Sequence, residues 1–239
     1  MNSSPMYTLH IANKNYSSWS LRPWALLREV KIPFTESLIP FHHTAQWEAY
    51  RRIAPNGKVP CLVNGDITVW ESLAIVEYLA ERHAGVWPEA AAARAWARSA
   101  SAEMHAGFGE LRNRCSMSCG IRVRLHSVSA ALTADLARIS ALWNDGLDHF
   151  GGPFLAGSAF TAVDAFFAPV VFRLQTYGLN LDPASMAYAT RMLNIASLRT
   201  WYEEALREPW RDTAHEEEIA GYGQITSDLR VTHAAPPAP

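Results

Sequence analysis

The amino-acid sequence predicts two units, an α/β domain followed by an all-helical domain. Residues 6–84 alternate short β-type segments with helical ones, whereas residues 90–223 consist of helical segments separated by brief Gly and Pro interruptions. The composition, 49% apolar and 18% charged, is typical of a globular protein. Residues 224–239 show no periodicity and end in a Pro- and Ala-rich stretch, so we expect a mobile tail there.

The first unit is predicted to follow the order βαβ-ββα. Asn64-Gly65-Asp66 lies between two apolar runs, and Asn-Gly in that position is a strong signal for a hairpin because both turn residues need positive φ. The predicted elements are strands at 7–12 and 34–39 around a helix at 21–30, hairpin strands at 61–63 and 67–69, and a helix at 72–82.

The second unit is predicted to be a helical bundle. Thr161 and Asp164 form a Thr-x-x-acid capping box directly before the apolar run 165–172. A helix that is apolar on nearly all sides must be central in its bundle. The predicted helices cover residues 89–114, 129–150, 162–177, 184–192 and 197–206.

Composition and charge exclude several classes of function. The 21 basic and 23 acidic residues give a net charge of −2, which provides no basic excess for nucleic acid or an anionic membrane surface. The apolar run 165–172 is far shorter than the roughly 20 residues that a membrane span needs. The N-terminus lacks the features of a signal peptide, so we expect a cytoplasmic protein.

Three cysteines are too few for a disulfide framework and fit a reducing compartment. Cys61 lies in an apolar run and is predicted to be core. Cys115 and Cys119, even with His105 or His126, lack the Cys-x-x-Cys spacing of zinc sites. The sequence therefore predicts no metal site.

The segment Ser17-Ser18-Trp19-Ser20-Leu21-Arg22-Pro23 follows the first strand, where a β-α turn presents side chains and helix N–H groups to a ligand. Pro23 has no N–H to give to a helix interior, so the N-cap is predicted no earlier than about Trp19, with Ser20 suitable. Ser17 then lies near the positive end of the helix. These serines serve either as cap and turn residues or as ligand-binding groups.

Two further segments carry candidate binding residues. Pro60 directly precedes an apolar strand. Either it is an ordinary trans strand start, which spacing alone favours, or a cis Val59-Pro60 bond turns the Val59 backbone towards an extended ligand. Glu71 and Ser72 open the third helix. They are either an N-cap with a favourable acid, or a pair that binds the ammonium and carboxylate of a free amino-acid end.

The order and spacing of these three segments, together with the capping box, resemble the glutathione S-transferase family over nearly the whole chain. The resemblance implies a thioredoxin-like domain that binds glutathione as co-substrate, a cis Pro60, and a helical domain that supplies the pocket for a small electrophile. It further implies a role in detoxification and a twofold homodimer.

The resemblance also assigns roles to residues of the glutathione site. In this family, the residue at the position of Ser72 binds the γ-glutamyl carboxylate of glutathione, and the residue at the position of Glu71 binds the amine of the same γ-glutamyl unit. The main chain at the position of Val59 pairs with the cysteinyl unit of glutathione. The remaining glutathione-binding candidates are Ser17, Ser18, His43, Lys58 and Pro60. Lys58 and His43, or its neighbour His42, could reach the glycyl carboxylate.

Among serine-type members, the Ser-Ser-Trp-Ser-Leu-Arg order looks most like the zeta class motif, Ser-Ser-Cys-Ser followed by Arg, and the tau class has its serine at the same distance before that arginine. This alignment places the catalytic hydroxyl on Ser17, with Tyr16 or Ser18 as alternatives. Trp19 replaces the zeta cysteine, a departure that argues against maleylacetoacetate isomerisation. A serine at position 17 also argues against thiol-disulfide exchange, which needs a protein thiolate.

The helical domain is expected to line the second-substrate site. Side chains at helical spacing on the helix that begins near residue 89 could face this site, although apolar residues at that spacing are usually core. The candidates are Trp19, Met104, His105, Phe108 and Arg112. The sequence predicts a transferase, and it leaves two alternatives open. These are a glutathione-dependent peroxidase or isomerase at the same site, and a non-catalytic glutathione- or protein-binding module.

Overall fold

A computed structural model describes residues 7–41 and 45–232, with the backbone alone at residues 45–47 and 49. It confirms the predicted fold class, a thioredoxin-like first domain followed by a helical domain. The first domain comprises β1 (Tyr7–Ile11), α1 (Ser18–Glu29), β2 (Phe34–Leu38), α2 (Ala45–Ile53), β3 (Cys61–Asn64), β4 (Ile67–Trp70) and α3 (Ser72–Ala80). Only α2 was not predicted.

The four strands form one mixed sheet in the order β2-β1-β3-β4. β1 and β2 are parallel because α1 connects them, whereas β3 is antiparallel to both β1 and β4. Leu9 of β1 is paired with Leu62 of β3, and both side chains are fully buried. Helix α1 packs against α3, and Trp19 in the first turn of α1 lies close to Glu71, which directly precedes α3.

The predicted hairpin is confirmed, but its turn is one residue further along. Asn64 is paired with Ile67, so the two loop residues are Gly65 and Asp66. Among these residues only Gly65 has positive φ, at 60°. The turn therefore uses glycine at its first position instead of Asn-Gly.

Helix α1 begins earlier than predicted. Its N-cap is Ser17, its first turn is closed by the Leu21 N–H bonded to the Ser17 carbonyl, and Pro23 lies inside the helix. Ser20 is therefore not the N-cap. Its hydroxyl instead accepts the Ala12 N–H at 3.3 Å and ties the end of β1 to the first turn of α1.

The second domain comprises α4 (Ala91–Ala106), α5 (Gly109–Arg114), β5 (Ile121–Leu125), α6 (Ala130–Phe150), α7 (Ala162–Tyr177), α8 (Pro183–Asn194), α9 (Ala196–Arg207), α10 (Thr213–Tyr222) and β6 (Gly223–Asp228). The predicted helix over residues 89–114 is interrupted. A Cβ at Gly107 would lie 2.8 Å from the Glu103 carbonyl oxygen, and Phe108 has a positive φ of 55°. The chain therefore turns between α4 and α5.

Helix α7 is the centre of the second domain, as its apolar sequence predicts. All of its residues from Ala162 to Leu174 are buried, and it packs against α1, α4, α8 and β5. The capping box is present, since Asp164 Oδ2 accepts the Thr161 N–H at 2.9 Å. The contact between α7 and α1 joins the two domains.

The C-terminal region differs from the prediction. The predicted all-helical domain contains a two-stranded antiparallel sheet of β5 and β6, and Arg230 is buried. The expected mobile tail thus overlaps a strand, since residues 224–228 belong to β6. Most side chains of β6 are exposed, so backbone pairing holds the strand and the sequence lacks the apolar alternation that would signal it. Residues 233–239 lie outside the described residues.

Candidate active site

The loop that precedes α1 is held by the second domain. The Glu208 carboxylate accepts the backbone N–H of Lys14 at 2.6 Å and that of Asn15 at 3.2 Å, and the Asn15 side chain donates to the Ala205 carbonyl at 2.5 Å. Burial raises the pKa of Glu208 to about 7, although the two backbone N–H donors oppose this shift. The position of the following Ser17 thus depends on residues nearly 200 positions away.

Ser17 lies at the positive end of α1. Its side chain is 5% exposed and its hydroxyl donates to Ser20 Oγ at 2.7 Å. Ser17 and its neighbour Ser18 both line a cavity, and in the described part of the chain no group hydrogen-bonds to Ser18 Oγ. A hydroxyl has a single proton to donate, so Ser17 can turn from Ser20 to a ligand by rotation about one bond.

Tyr16 is engaged elsewhere. Its hydroxyl donates to Glu216 Oε1 at 2.5 Å and accepts from Arg230 Nη1 at 2.9 Å, while its ring stacks on His215 at 5.0 Å. Burial and the Glu216 carboxylate raise the pKa of this phenol well above its usual value. Because the Tyr16 hydroxyl already donates its hydrogen bond to Glu216, Tyr16 is poorly suited to donate to a ligand.

The two other predicted binding segments meet at a small cavity of about 160 Å³ next to Trp19. The Val59-Pro60 bond is cis, as the resemblance implied. The cavity is lined by Trp19, Asn56, Lys58, Val59, Pro60 and Glu71.

Glu71 and Ser72 stand at the start of α3 on one side of this cavity. Glu71 has a positive φ of 67° and accepts a hydrogen bond from the Asn56 side chain at 3.2 Å. Ser72 is fully buried directly behind it, and its Oγ has no hydrogen-bond partner among the described residues. An unpartnered buried hydroxyl at a helix N-terminus is suited to a ligand carboxylate.

A larger cavity of about 460 Å³ adjoins the small one. Trp19, Lys58 and Val59 border both cavities. The larger cavity is lined by Tyr16, Ser17, Ser18, Trp19, Phe41, Lys58, Val59, Arg112, Asn113, Ser116, Met117, Arg173 and His215. Both domains therefore contribute to it, and Ser17 lines it two residues before Trp19, which borders both cavities.

The five second-substrate candidates are distributed between the cavity and the core. Trp19 and Arg112 line the larger cavity. The ring of His105 packs edge-on against Trp19 at 5.3 Å, and burial lowers its pKa. Met104 and Phe108 do not reach the cavity, because both side chains are buried in the hydrophobic core.

Sequence reasoning missed Arg173, His215 and Phe41, which also line the larger cavity. Arg173 could have been noticed as a charged residue next to the apolar run of α7. No comparable signal marks His215 in α10, because that helix was not predicted. His42 and His43, the candidates for the glycyl carboxylate, lie outside the described residues.

Other regions offer less chemistry. A groove of about 880 Å³ between α3, α4 and residues 150–161 contains none of the predicted site residues. All three cysteines are buried and unbridged, and the described residues include no group of three or more metal-binding side chains. Among the described helices, none has both the length and the apolarity of a membrane span.

Comparisons with known proteins identify the family. The model of the glutathione S-transferase N-terminal domain matches residues 16–82, and that of the C-terminal domain matches residues 122–208, which together exceed half of the chain.

Individual relatives agree with the domain matches. The chain is 29% identical to the glutathione S-transferase-like protein OpS6 of Beauveria bassiana, over 68% of this chain and 79% of that protein. It is 26% identical to glutathione S-transferase GstB of Escherichia coli, over 77% and 86% respectively. A glutathione transferase homolog from Burkholderia, solved with bound glutathione, has the same fold, with a TM-score of 0.63, 21% identity, and coverage of 84% of this chain and 98% of that one. The chain therefore belongs to the glutathione S-transferase family.

Proposed function

We propose that the protein is a glutathione transferase in which Ser17 activates the thiol of bound glutathione for attack on a small electrophile. The observation that carries the proposal is the position of Ser17, at the positive end of α1 and in the lining of the larger cavity, two residues before Trp19, which borders both cavities. A thiol bound there would have glutathione on one side and an electrophile on the other.

Glutathione would lie along the small cavity as an extended peptide. Glu71 would receive its ammonium group and the start of α3 at Ser72 its γ-glutamyl carboxylate, since a helix N-terminus favours an anion. The main chain at Val59, next to Pro60, would pair with the cysteinyl unit. Ser18 and Lys58, with His43, are the remaining proposed contacts, the last two for the glycyl carboxylate.

Ser17 would act by favouring the thiolate. A thiol with an ordinary pKa of about 8.5 is mostly protonated at neutral pH, and only the thiolate is the nucleophile. A hydroxyl that donates to a charged sulfur contributes roughly 1.5–3 kcal/mol, or about one to two pKa units. The N-terminus of α1 adds a few tenths of a kcal/mol more. Together these effects make the thiolate the main form near neutrality.

The electrophile would occupy the larger cavity. Trp19 and Arg112 would contact it directly, and His105 would support the Trp19 ring. Met104 and Phe108 would contribute only indirectly, as buried core residues that support the side chains lining the cavity. Placing thiolate and electrophile side by side supplies much of the rate, because the reaction between them becomes effectively unimolecular.

The Ser17→Ala variant tests this proposal. We expect kcat/KM for conjugation to fall at least tenfold and the pKa of the bound thiol, followed by its ultraviolet absorbance, to rise. Ser18→Ala and Tyr16→Phe are the comparison variants. Full activity in Ser17→Ala, with loss in either comparison variant, would assign the catalytic hydroxyl to that other residue.

A substrate panel separates the possible reactions. Aryl chlorides report conjugation, cumene hydroperoxide reports peroxidase activity, and maleylacetone reports isomerisation, all with glutathione present. Turnover of the peroxide alone would make the protein a peroxidase. Glutathione binding without turnover of any of the three would indicate a non-catalytic module.

A further inference from the structure

The larger cavity carries an excess of positive charge. Arg112 from α5, Arg173 from α7 and Lys58 all line it. Among the described residues its other polar side chains, from Ser17, Ser18, Asn113, Ser116, Tyr16 and His215, include no carboxylate. A glutathione transferase needs no such charge to hold a neutral apolar electrophile.

Arg173 is the most informative of these residues. It is 4% exposed, its Nε donates to the Cys115 carbonyl at 2.8 Å, and its Nη1 has no partner anywhere in the described ranges. A buried cation without an anion is costly, and its burial lowers the pKa of Arg173 to about 10. This guanidinium borders the cavity, so an anion placed there would complete its hydrogen bonds.

Arg112 is also without a carboxylate. Its guanidinium bonds to the carbonyl oxygens of His105 and Ala106 at 3.2 and 3.5 Å, and lies 5.6 Å from the centre of the Trp19 ring. Within residues 7–41 and 45–232, neither Arg112 nor Arg173 belongs to an ion pair.

A third arginine, Arg22, adds positive charge next to Trp19. Arg22 is fully buried, 4.1 Å from the centre of the Trp19 ring, with Nε and Nη1 unpartnered within the part that is described. Arg173 and Arg112 are close enough to depress its pKa further, after burial itself. The three guanidinium groups therefore repel one another in the absence of a ligand.

Nearby acids do not neutralise this cluster. Glu216 is paired with Arg230, and Asp212 is bonded to His215 Nδ1 at 2.5 Å. Glu218 acts on Arg173 only at longer range. Glu71 lines the small cavity and favours the charged form of Arg22, but its effect on the pKa of Arg22 is smaller than those of burial, Arg173 and Arg112. These acids therefore leave the cluster with an excess of positive charge.

We propose that the second substrate carries a carboxylate, which binds Arg112 and Arg173 while its electrophilic carbon faces the thiolate at Ser17. This inference rests on the function proposed above and names its substrate class. Guanidinium groups bind carboxylates through paired hydrogen bonds, and Trp19 and Phe41 add aromatic side chains to the cavity lining. A substituted benzoate fits a cavity of about 460 Å³.

The reaction with an aryl chloride of this class is balanced without a further reagent. The thiolate sulfur attacks the ring carbon that bears chlorine, a C–S bond forms, and the C–Cl bond breaks as chloride leaves with the electron pair. The carboxylate is unchanged throughout and serves only to position the ring.

The wild-type protein tests the inference with one matched pair of substrates. These are 4-chloro-3,5-dinitrobenzoate and its methyl ester, with each kcat/KM divided by the rate constant of the uncatalysed reaction with glutathione. We expect the acid to be preferred at least tenfold. An equal or reversed preference would overturn the inference, whereas activity on the ester would still support the transferase function.

Arginine variants show which side chains cause the preference for the acid over the ester. Arg112→Gln should reduce the acid-to-ester ratio at least tenfold, and Arg173→Met should do the same if the variant folds. Arg114→Gln is the matched control, because Arg114 lies on the same helix, pairs with Glu110 at 2.7 Å and does not line the cavity. A ratio unchanged in Arg112→Gln would contradict the assignment.

Binding measurements keep the inference testable without turnover. By calorimetry, 3,5-dinitrobenzoate should bind the wild-type protein at least tenfold more tightly than its methyl ester. That preference would stand even if Ser17→Ala showed no loss of activity. If Arg112→Gln instead weakens glutathione binding tenfold and leaves dinitrobenzoate binding unchanged, the arginines serve the glycyl carboxylate of glutathione and the inference is wrong.

Discussion

Ser72 and Glu71 show how two adjacent residues can serve a ligand in different ways. Ser72 Oγ is buried and unpartnered in the described structure, a state that costs free energy unless a ligand completes it. Glu71 is exposed and takes a positive φ, which carries its side chain to Asn56 beside the small cavity. We propose that the pair receives the ammonium and the carboxylate of one carbon atom.

Alanine variants of these residues should weaken glutathione binding. We expect Glu71→Ala and Ser72→Ala each to cost about 1.5–3 kcal/mol of binding free energy, the range for hydrogen bonds to charged groups, as measured by calorimetry. Glu77→Ala is the matched control, because Glu77 lies on the same helix and pairs with Arg98. Unchanged affinity in both test variants would rule out recognition of the amino-acid end.

At the scale of single residues, the sequence identified the residues of short motifs. It did not identify residues that are far away along the chain and reach the site only through folding. Ser17, Val59 and Glu71 could be selected because each stands at a strand end or helix start with a known geometric role. His215 could not, and Arg173 could be noticed only as a charge beside an apolar run, because their positions at the cavity depend on how the second domain packs against the first. No local pattern encodes that packing.

The arm formed by β6 and Arg230 is the element that the sequence least reveals. Arg230 donates to Tyr16 Oη at 2.9 Å and to Asp228 Oδ2 at 2.7 Å, and it pairs with Glu216. A Cβ at Gly120 would lie 2.2 Å from Arg230 Cγ, so the arginine stem packs directly on the backbone before β5. Hydrogen bonds and one buried stem hold the arm, and neither leaves a periodic signal.

Arg230→Ala should destabilise the protein. Removing this guanidinium leaves Glu216 and Tyr16 partly buried with one partner fewer, and we expect a loss of about 2–3 kcal/mol in the free energy of unfolding. Urea denaturation followed by Trp fluorescence measures it. The control Arg124→Gln changes an exposed arginine of β5 that bonds Gln224, and should shift stability by less than about 0.5 kcal/mol. Equal stability of the two variants would show that Arg230 does not anchor the arm.

Helix and strand limits were predicted best where apolar periodicity is strong. Helix α7 has the predicted bounds, whereas α4 and α5 were merged because their residue spacing continues across Gly107. The break lies at Gly107, where a Cβ would be only 2.8 Å from the Glu103 carbonyl oxygen, and at Phe108, which has a positive φ of 55°. Sequence patterns report average preferences, and the backbone conformation at one or two residues can override them.

At the scale of the whole molecule, the edge strand β4 has exposed apolar side chains. Ile67 is 47% exposed and Trp70 is 39% exposed. An exposed edge strand with large apolar side chains is a surface on which a partner can pack. We propose that this face contributes to a twofold dimer in which each first domain packs on the helical domain of its partner.

Sedimentation velocity at micromolar concentration should therefore give about twice the 26.6 kDa mass of one chain. Ile67→Asp should shift the distribution towards the monomer, because it places a charge in the contact. Val128→Asp, at a residue that is 54% exposed before α6, should leave the mass unchanged. A wild-type monomer that turns over glutathione would contradict the dimer and leave the role of Ser17 intact.

The hydrogen bonds around residues 13–17 also fix when the active site can form during synthesis. Lys14 and Asn15 bond to Glu208, and Tyr16 bonds to Glu216 and Arg230, so each partner follows about 200 residues later in the chain. A ribosome releases the N-terminal domain long before it has made these residues. The loop that carries Ser17 gains these anchors only after residues 208–230 emerge, so a nascent or prematurely terminated chain lacks the contacts that fix the position of Ser17.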